Sequence, residues 1–122
     1  MQVKKSNHCA YQTHYHIVFP VKYRKALLFP GIEKAILRIA SEICERYEIE
    51  FEQIGCDRNH IHILCSFHPK YNMGEMVRKF KSITAREIFR NFPEIKKQLW
   101  GGEFWTDGYY VATIENEEDG IL

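Results

Sequence analysis

The chain has 122 residues, 45% of them hydrophobic, which fits one small domain with a single packed core and excludes a disordered chain. Its formal net charge of +1 excludes a globally basic nucleic-acid binder, so any DNA-binding surface has to be a local patch. No apolar run is long enough to cross a bilayer and the N-terminus lacks a secretion signal, so we expect a cytoplasmic domain over residues 1–122 without membrane contact.

The first part of the chain predicts a strand and then a helix. Residues from Tyr11 to Phe19 alternate in polarity and are rich in β-branched and aromatic types, which is typical of a strand, and Pro20 ends it. Pro30 and Gly31 predict a break before the helix. Apolar residues then recur at three- and four-residue spacing, which indicates a helix from Ile32 to about Tyr47.

The second part predicts a strand hairpin, a second helix and a last strand. Two short strands, Ile49–Cys56 and His60–Phe67, flank a turn at residues 57–59. A helix follows from about Gly74 to Asn91, where a proline stops it, and residues 104–114 contain the last strand. The order β-α-β-β-α-β predicts an α+β, ferredoxin-like fold, an antiparallel sheet with two helices on one face.

The second helix has an apolar side centred on Phe80 and a polar side opposite it. The apolar side gathers Met73, Met76, Val77, Ile83 and Thr84, counted at 100° per residue. The polar side carries Arg78, Lys79 and Arg86. Phe89 falls on the polar side too, which indicates either an exposed aromatic at a dimer contact or a helix that ends before this residue.

Two histidine pairs have the spacing of neighbouring residues on one strand face. His60 and His62 point to the same side, while the residues between and after them point toward the helices. Two imidazoles held in this way can share one divalent ion, and because both must be neutral, the affinity should fall below about pH 6. His14 and His16 have the same spacing, so geometry does not choose between the pairs; we expect the first pair to form a solvated or hydrogen-bonded strand face.

Four motifs in chain order carry a family resemblance. They are Tyr15–Phe19 with the basic run Lys22–Lys25, then Asp57–Leu64, Phe80–Arg86, and the stretch from Leu99 to Thr113. Together, over about residues 5–114, they resemble the small single-strand DNA transposases of the HUH (histidine, hydrophobic, histidine) one-tyrosine family. The resemblance implies a homodimer that binds DNA hairpins, and Mg²⁺ or Mn²⁺ held by His60 and His62. It also implies DNA cleavage and strand transfer through a 5′-phosphotyrosine. Asn59 departs from the acidic residue common at its position, which should weaken orientation of the first ligand only modestly.

The nucleophilic tyrosine of that family lies on a helix after the last strand, together with a further polar metal ligand. No tyrosine follows Tyr110 and the acidic tail does not resemble that helix, so we expect the family's tyrosine to lie beyond Leu122, the domain being truncated before it. Adjacent strand residues face opposite sides, so one of Tyr109 and Tyr110 shares a side with solvent or a groove and is an alternative nucleophile, whereas the resemblance makes both of them packing residues. We therefore expect this 122-residue form not to make the covalent DNA adduct.

Several basic residues are candidate phosphate contacts: Lys22, Arg24, Lys25, Arg78, Lys79 and Arg86. Tyr23 and Trp105 are candidates for stacking on unpaired bases, although aromatics at strand ends usually belong to the core. Two rival functions fit the same residues. One is a non-catalytic nucleic-acid-binding module on a ferredoxin-like sheet, and the other is a small metal-dependent phosphoester hydrolase unrelated to DNA.

Overall fold

The computed structural model describes residues 4–5, 10–11 and 13–115 and contains a four-stranded sheet, a two-stranded sheet and three α-helices in these residues. The short strands are β1 (Lys4–Lys5) and β2 (Ala10–Tyr11). The main sheet consists of β3 (Thr13–Pro20), β4 (Ile49–Asp57), β5 (His60–Phe67) and β6 (Tyr110–Glu115). The helices are α1 (Pro30–Tyr47), α2 (Met73–Asn91) and α3 (Pro93–Gln98).

The main sheet has the strand order β4-β5-β3-β6, and all its neighbours are antiparallel. Alternation along β3 and β5 buries Ile17, Phe19, Ile61 and Ile63 in one core cluster with the apolar stripes of α1 and α2. The two long helices therefore cover one face of the sheet, and the predicted α+β, ferredoxin-like arrangement is confirmed. The opposite face of the sheet carries the histidines.

Two prolines behave differently from the sequence prediction. Pro30 does not break the chain before α1 but is its first residue, and Pro93 ends α2 only to begin the short helix α3, which the sequence did not predict. Both follow from one property, because a proline at the first helical position lacks only an N–H that would have had no partner, and its φ is already helical.

Phe89 is neither exposed nor beyond the end of its helix, so both interpretations of this residue were wrong. Helix α2 continues to Asn91, and the half-buried Phe89 ring lies 6.0 Å from the Phe104 ring in an edge-on arrangement. The Nζ atom of Lys96, on α3, lies 5.7 Å from the centre of the Phe89 ring. The chain after α2 thus returns over the side of the helix that looked polar.

A β-bulge in β4 decides which residues reach the histidine face. The register runs Phe51 opposite Cys65 and then Gln53 opposite Leu64, so Glu52 is an extra residue. Because a one-residue shift turns every following side chain to the other face, Asp57 comes to lie opposite His60 on the open side of the sheet. The Glu52 carboxylate accepts a hydrogen bond from the Ser66 hydroxyl at 3.2 Å, which ties the bulged residue to β5, and it lies 3.2 Å from His14 Nδ1.

Trp105 belongs to the core, so its candidacy for base stacking was wrong. The side chain is 4% exposed, and its Nε1–H donates to the Thr84 hydroxyl at 2.9 Å. That hydroxyl in turn donates to the Phe80 carbonyl at 2.7 Å, so Thr84 links α2 to the segment before β6.

We predict that Thr84→Val lowers the free energy of unfolding by about 1–3 kcal/mol, because it leaves the Trp105 N–H buried without an acceptor. Urea unfolding followed by tryptophan fluorescence measures the change. Thr84→Ser is the control, since it keeps the hydroxyl and removes only a methyl group. Equal losses in the two variants would show that the hydroxyl contributes nothing.

Candidate metal centre and nucleic-acid surface

His60 and His62 lie side by side on the open face of the sheet, as predicted from their spacing. Both are half-buried, while Ile61 and Ile63 are buried among the helices on the other face. The two imidazole rings have their centres 4.7 Å apart and are inclined at 63°. Strand β5 is therefore the element that holds both rings in one place.

Asp57 completes the cluster, and the sequence prediction missed it. Its Oδ2 atom lies 2.9 Å from His60 Nε2 and 3.5 Å from His62 Nε2, and the ligand atoms of the three residues all lie within 4.8 Å of one another. The carboxylate is well exposed, so solvent or a substrate oxygen can reach the same point. Two imidazoles and a carboxylate thus converge from β5 and from the end of β4.

Asn59 orients the first of the two imidazoles. The His60 Nδ1–H donates to the Asn59 side-chain oxygen at 2.8 Å, which turns the Nε2 atom toward Asp57. Ligand histidines are commonly held in this way through the nitrogen that does not bind the metal. The amide oxygen accepts this bond in the way an acidic residue would, so the departure from the family pattern leaves His60 with an orienting partner.

A cleft of about 350 Å³ opens beside the cluster. It is lined by His16, Gln53, Gly55, Cys56, Asp57, His62 and Leu64, so no tyrosine is among its described lining residues. Burial, with smaller contributions from the charges of Glu33 and Asp57, raises the pKa of the Cys56 thiol to about 12. The thiol is therefore protonated at neutral pH.

The donor set fits a divalent ion. Ligand atoms that occupy neighbouring positions of an octahedral Mg²⁺ or Mn²⁺ site are about 3 Å apart, and Asp57 Oδ2 lies at 2.9 and 3.5 Å from the two Nε2 atoms. Mg²⁺ prefers oxygen ligands only, whereas first-row transition ions also accept imidazole nitrogen. The mixture of two imidazoles and one carboxylate therefore suits Mn²⁺ better than Mg²⁺.

The basic run after β3 forms a tight turn at the surface. Tyr23 and Arg24 have left-handed φ values of 61° and 51°, and both side chains are exposed, as is that of Lys25. The Lys22 ammonium pairs with Glu103 at 2.9 Å, a hydrogen bond that raises the lysine pKa. The run thus presents two exposed cations, Arg24 and Lys25, beside the half-buried Lys22, which already has an acidic partner.

The basic residues of α2 divide between two places. Exposed Arg78 and Arg86 line a groove of about 630 Å³ between α2 and residues 102–109. Lys79 does not line it, because its Nζ lies 5.0 Å from the centre of the Tyr47 ring on α1. Lys81, which the sequence prediction did not select, also lines the groove; burial lowers its pKa, and its ammonium donates to the carbonyls of residues 106 and 108 at 2.7 and 2.5 Å.

Two exposed aromatics escaped the sequence prediction. Trp100 is 85% exposed, and the Tyr23 hydroxyl donates to its carbonyl at 2.9 Å, so these two residues lie together near the basic run. Tyr110 is 76% exposed, which corrects its interpretation as a packing residue. Tyr110 pairs with Val18 on β3, and Val18 pairs with His62 on β5. Tyr110 therefore lies on the same face of the sheet as His62, two strands away from it.

The described helices include none that is long and apolar enough to cross a membrane.

Comparison with known proteins finds transposases of one family that match almost the whole chain. The family described as IS200-like transposases matches residues 9–122. The ISDra2 transposase TnpA of Deinococcus radiodurans is 29% identical over 114 residues, which are 93% of this chain and 81% of that protein. The transposase for insertion sequence element IS200 of Salmonella typhimurium is 29% identical over 111 residues, 91% of this chain and 73% of that one.

Solved structures agree with the sequence comparison. A crystal structure of a protein from Deinococcus radiodurans described as a transposase superposes with a TM-score of 0.81 and 25% identity, over 98% of this chain and 90% of that one. A REP-associated tyrosine transposase bound to a REP hairpin shares the fold, with a TM-score of 0.64 and 11% identity over 98% of this chain and 66% of that one. The family match over residues 9–122 shows that this chain belongs to the IS200-like transposase family.

Proposed function

We propose that this IS200-like transposase binds single-stranded DNA hairpins as a homodimer and holds Mn²⁺ or Mg²⁺ with His60, His62 and Asp57 at a phosphate of the bound DNA. The observation that carries the proposal is the convergence of these three side chains beside an open cleft. The REP-associated relative, whose fold this chain shares, is bound to a hairpin in its own structure. We also propose that residues 1–122 form a single domain.

When bound, a divalent ion supplies Lewis-acid polarisation of the scissile phosphate and a template that orients it. The chain's own residues prepare that site. Asn59 holds the His60 ring through Nδ1, and Asp57 brings a negative charge to the point where both Nε2 atoms meet. The cleft beside them has room for a phosphodiester, because its volume of about 350 Å³ is open on the sheet surface.

We propose that the nucleophilic tyrosine is not among residues 13–115. No tyrosine is among the described residues that line the cleft, and Tyr110, which shares its face, starts two strands away from His62. Two strand spacings are about 10 Å, so the Tyr110 backbone is remote from the metal ligands. We therefore propose that residues 13–115 bind and orient DNA without forming the 5′-phosphotyrosine.

The DNA surface combines the groove beside α2 with the turn after β3. Arg78 and Arg86 line the groove, and Lys22 donates a hydrogen bond to Glu103, which also lines it. Arg24 and Lys25 extend the positive charge as further phosphate contacts, and Tyr23 stacks on an unpaired base, whereas Lys79 contributes only on the α1 side. These cations form the local patch that the near-neutral net charge requires.

Hairpin binding with and without metal tests the proposal. Fluorescence anisotropy of a labelled single-stranded hairpin should show tighter binding in Mn²⁺ than in chelator for the native chain, and no such difference for His60→Ala or His62→Ala. A denaturing gel of the same mixtures should show no protein–DNA band. A band that survives denaturation and disappears in Tyr110→Phe would contradict the proposal that Tyr110 is not a nucleophile.

The non-catalytic binding module is the second candidate, because it too needs no tyrosine among the described residues of the cleft. It predicts that hairpin affinity is the same in Mn²⁺ and in chelator, and that His60→Ala has no effect. Turnover of a small phosphoester without hairpin binding would instead support the hydrolase. The anisotropy experiment therefore separates the first two candidates, and the turnover assay identifies the hydrolase.

We predict that Trp100→Ala weakens binding of single-stranded hairpins by about 1–3 kcal/mol, the contribution of one aromatic ring that stacks on an unpaired base. The exposed Trp100 ring, joined to Tyr23 and next to the basic turn, is well placed for this contact. Anisotropy titration at one fixed salt concentration measures the change. Trp100→Phe keeps a ring and should retain most of the affinity; equal affinity of all three proteins would remove Trp100 from the DNA surface.

A further inference from the structure

We propose that His16 is a positioning residue that holds the His62 ring in the orientation and tautomer needed for metal binding. His16 lies on β3, next to the ligand strand β5, with its backbone opposite Leu64. Its ring lies edge to edge with the His62 ring and nearly parallel to it, with 5.5 Å between centres and 15° between planes, and its Nε2 atom lies 3.3 Å from His62 Nδ1. The inference rests on the metal site of the proposed function.

The two ends of the His62 ring have separate partners. Its Nε2 atom faces the Asp57 carboxylate, and its Nδ1 atom faces His16. A neutral imidazole binds a metal ion through the nitrogen that carries no proton, so the proton of His62 has to be on Nδ1. That N–H then donates to the Nε2 lone pair of His16. With the opposite arrangement, His62 would carry its proton on Nε2 and could not bind the ion there.

The same device serves both ligands. Asn59 accepts from Nδ1 of His60, and His16 accepts from Nδ1 of His62, so each Nε2 is turned to the Asp57 oxygen. The two orienting residues come from different elements, the turn before β5 and the central strand β3. Of the first histidine pair, His14 and His16, only His16 has this role, because the buried His14 lies beside Glu52 instead.

The geometry indicates that His16 is not itself a third imidazole ligand of the metal ion. The compact group of ligand atoms comprises Asp57, His60 and His62, and the His16 Nε2 atom points at a His62 nitrogen. His16 also lines the cleft beside the group, so it is accessible from the same side as a substrate. It acts on the metal through His62 and not by direct contact.

Mn²⁺ binding by variants of His16 tests the inference. Loss of an orienting partner commonly lowers metal affinity 10- to 100-fold, which we expect for His16→Leu in calorimetric titration. His16→Gln places an amide oxygen near the position of Nε2 and should bind within about threefold of the native chain. His16→Asn is too short to reach and should resemble His16→Leu. His68→Leu, a histidine of the loop after β5, is the matched control.

Electron spin echo spectra of bound Mn²⁺ supply a readout that does not depend on activity. We expect nitrogen modulation from two imidazoles in the native chain and a smaller contribution from His62 in His16→Leu. Circular dichroism checks that each variant is folded; if His16→Leu is unfolded, the comparison of His16→Gln with His16→Asn decides.

The outcomes separate this inference from the proposed function. Failure of the native chain to bind Mn²⁺ overturns the metal site itself and this inference with it. Native binding with unchanged affinity in His16→Leu and His16→Asn leaves the metal site standing and overturns the role of His16. Coordination of three imidazoles in the native chain would make His16 a ligand and would likewise overturn the positioning role.

Discussion

His60→Ala is expected to lower the affinity for Mn²⁺ by more than about 100-fold, beyond the loss that follows removal of an orienting residue. The variant removes one of the two imidazoles and leaves the Asp57 carboxylate with a single nitrogen partner, 3.5 Å away on His62. Isothermal titration of the metal-free protein at pH 7.5 measures the change. His62→Ala should behave in the same way, because both rings contribute Nε2 to the same point.

Two further variants accompany this test, one as a control and one with an expected intermediate affinity for Mn²⁺. His68→Ala removes a histidine of the loop after β5, outside the cluster, and should leave the affinity unchanged. Asp57→Asn keeps an oxygen ligand and removes its charge, so it should bind Mn²⁺ more weakly than the native chain and more tightly than His60→Ala. If His60→Ala and His68→Ala bound Mn²⁺ equally well, the cluster would not be a metal site.

The part of the site that lies on one strand was predictable from the sequence. Side chains at i and i+2 of a strand share a face, and this rule alone placed His60 and His62 together and Ile61 beneath the helices. The α+β, ferredoxin-like architecture followed in the same way from strand and helix periodicities. Both predictions depend only on local geometry, which a sequence carries directly.

Asp57 was not predictable, because its position depends on an irregularity in a different part of β4. Counted in a regular strand from the buried Ile49, Asp57 would face the helices; the bulge at Glu52 turns it to the histidines. Nothing in the local sequence marks Glu52 as the extra residue. Its contacts with His14 and Ser66 are made across strands, so they appear only when the sheet is assembled.

The exposure of aromatic side chains was the other property that the periodicity of the sequence could not predict. Phe89 looked exposed and Tyr110 looked packed, and the structure reverses both. Phe89 is covered by the returning segment that contains Phe104, while Tyr110 lies on β6 at the edge of the sheet, with no described strand beyond it. In each case the deciding neighbour is distant in sequence, so a pattern read along the chain contains no signal for it.

Phe19→Ala is expected to lower the free energy of unfolding by about 3–5 kcal/mol, because it opens a large cavity between the sheet and α2. The Phe19 side chain is 1% exposed, and its ring meets the Phe80 ring at 6.1 Å and the Trp105 ring at 4.8 Å, edge-on in both cases. Urea unfolding measures the loss. Phe19→Leu keeps most of the apolar volume and should lose distinctly less.

The same variant shows whether the two faces of the sheet act separately. Phe19 lies on β3 opposite Ile61, and both point to the helices, while the proposed metal ligands on either side of Ile61 point away. Phe19→Ala should therefore lose stability and keep its Mn²⁺ affinity in the folded protein, whereas His60→Ala should lose Mn²⁺ affinity and keep its stability in the absence of metal. A large loss of Mn²⁺ affinity in folded Phe19→Ala would mean that packing under β5, and not the rings alone, sets the spacing of His60 and His62.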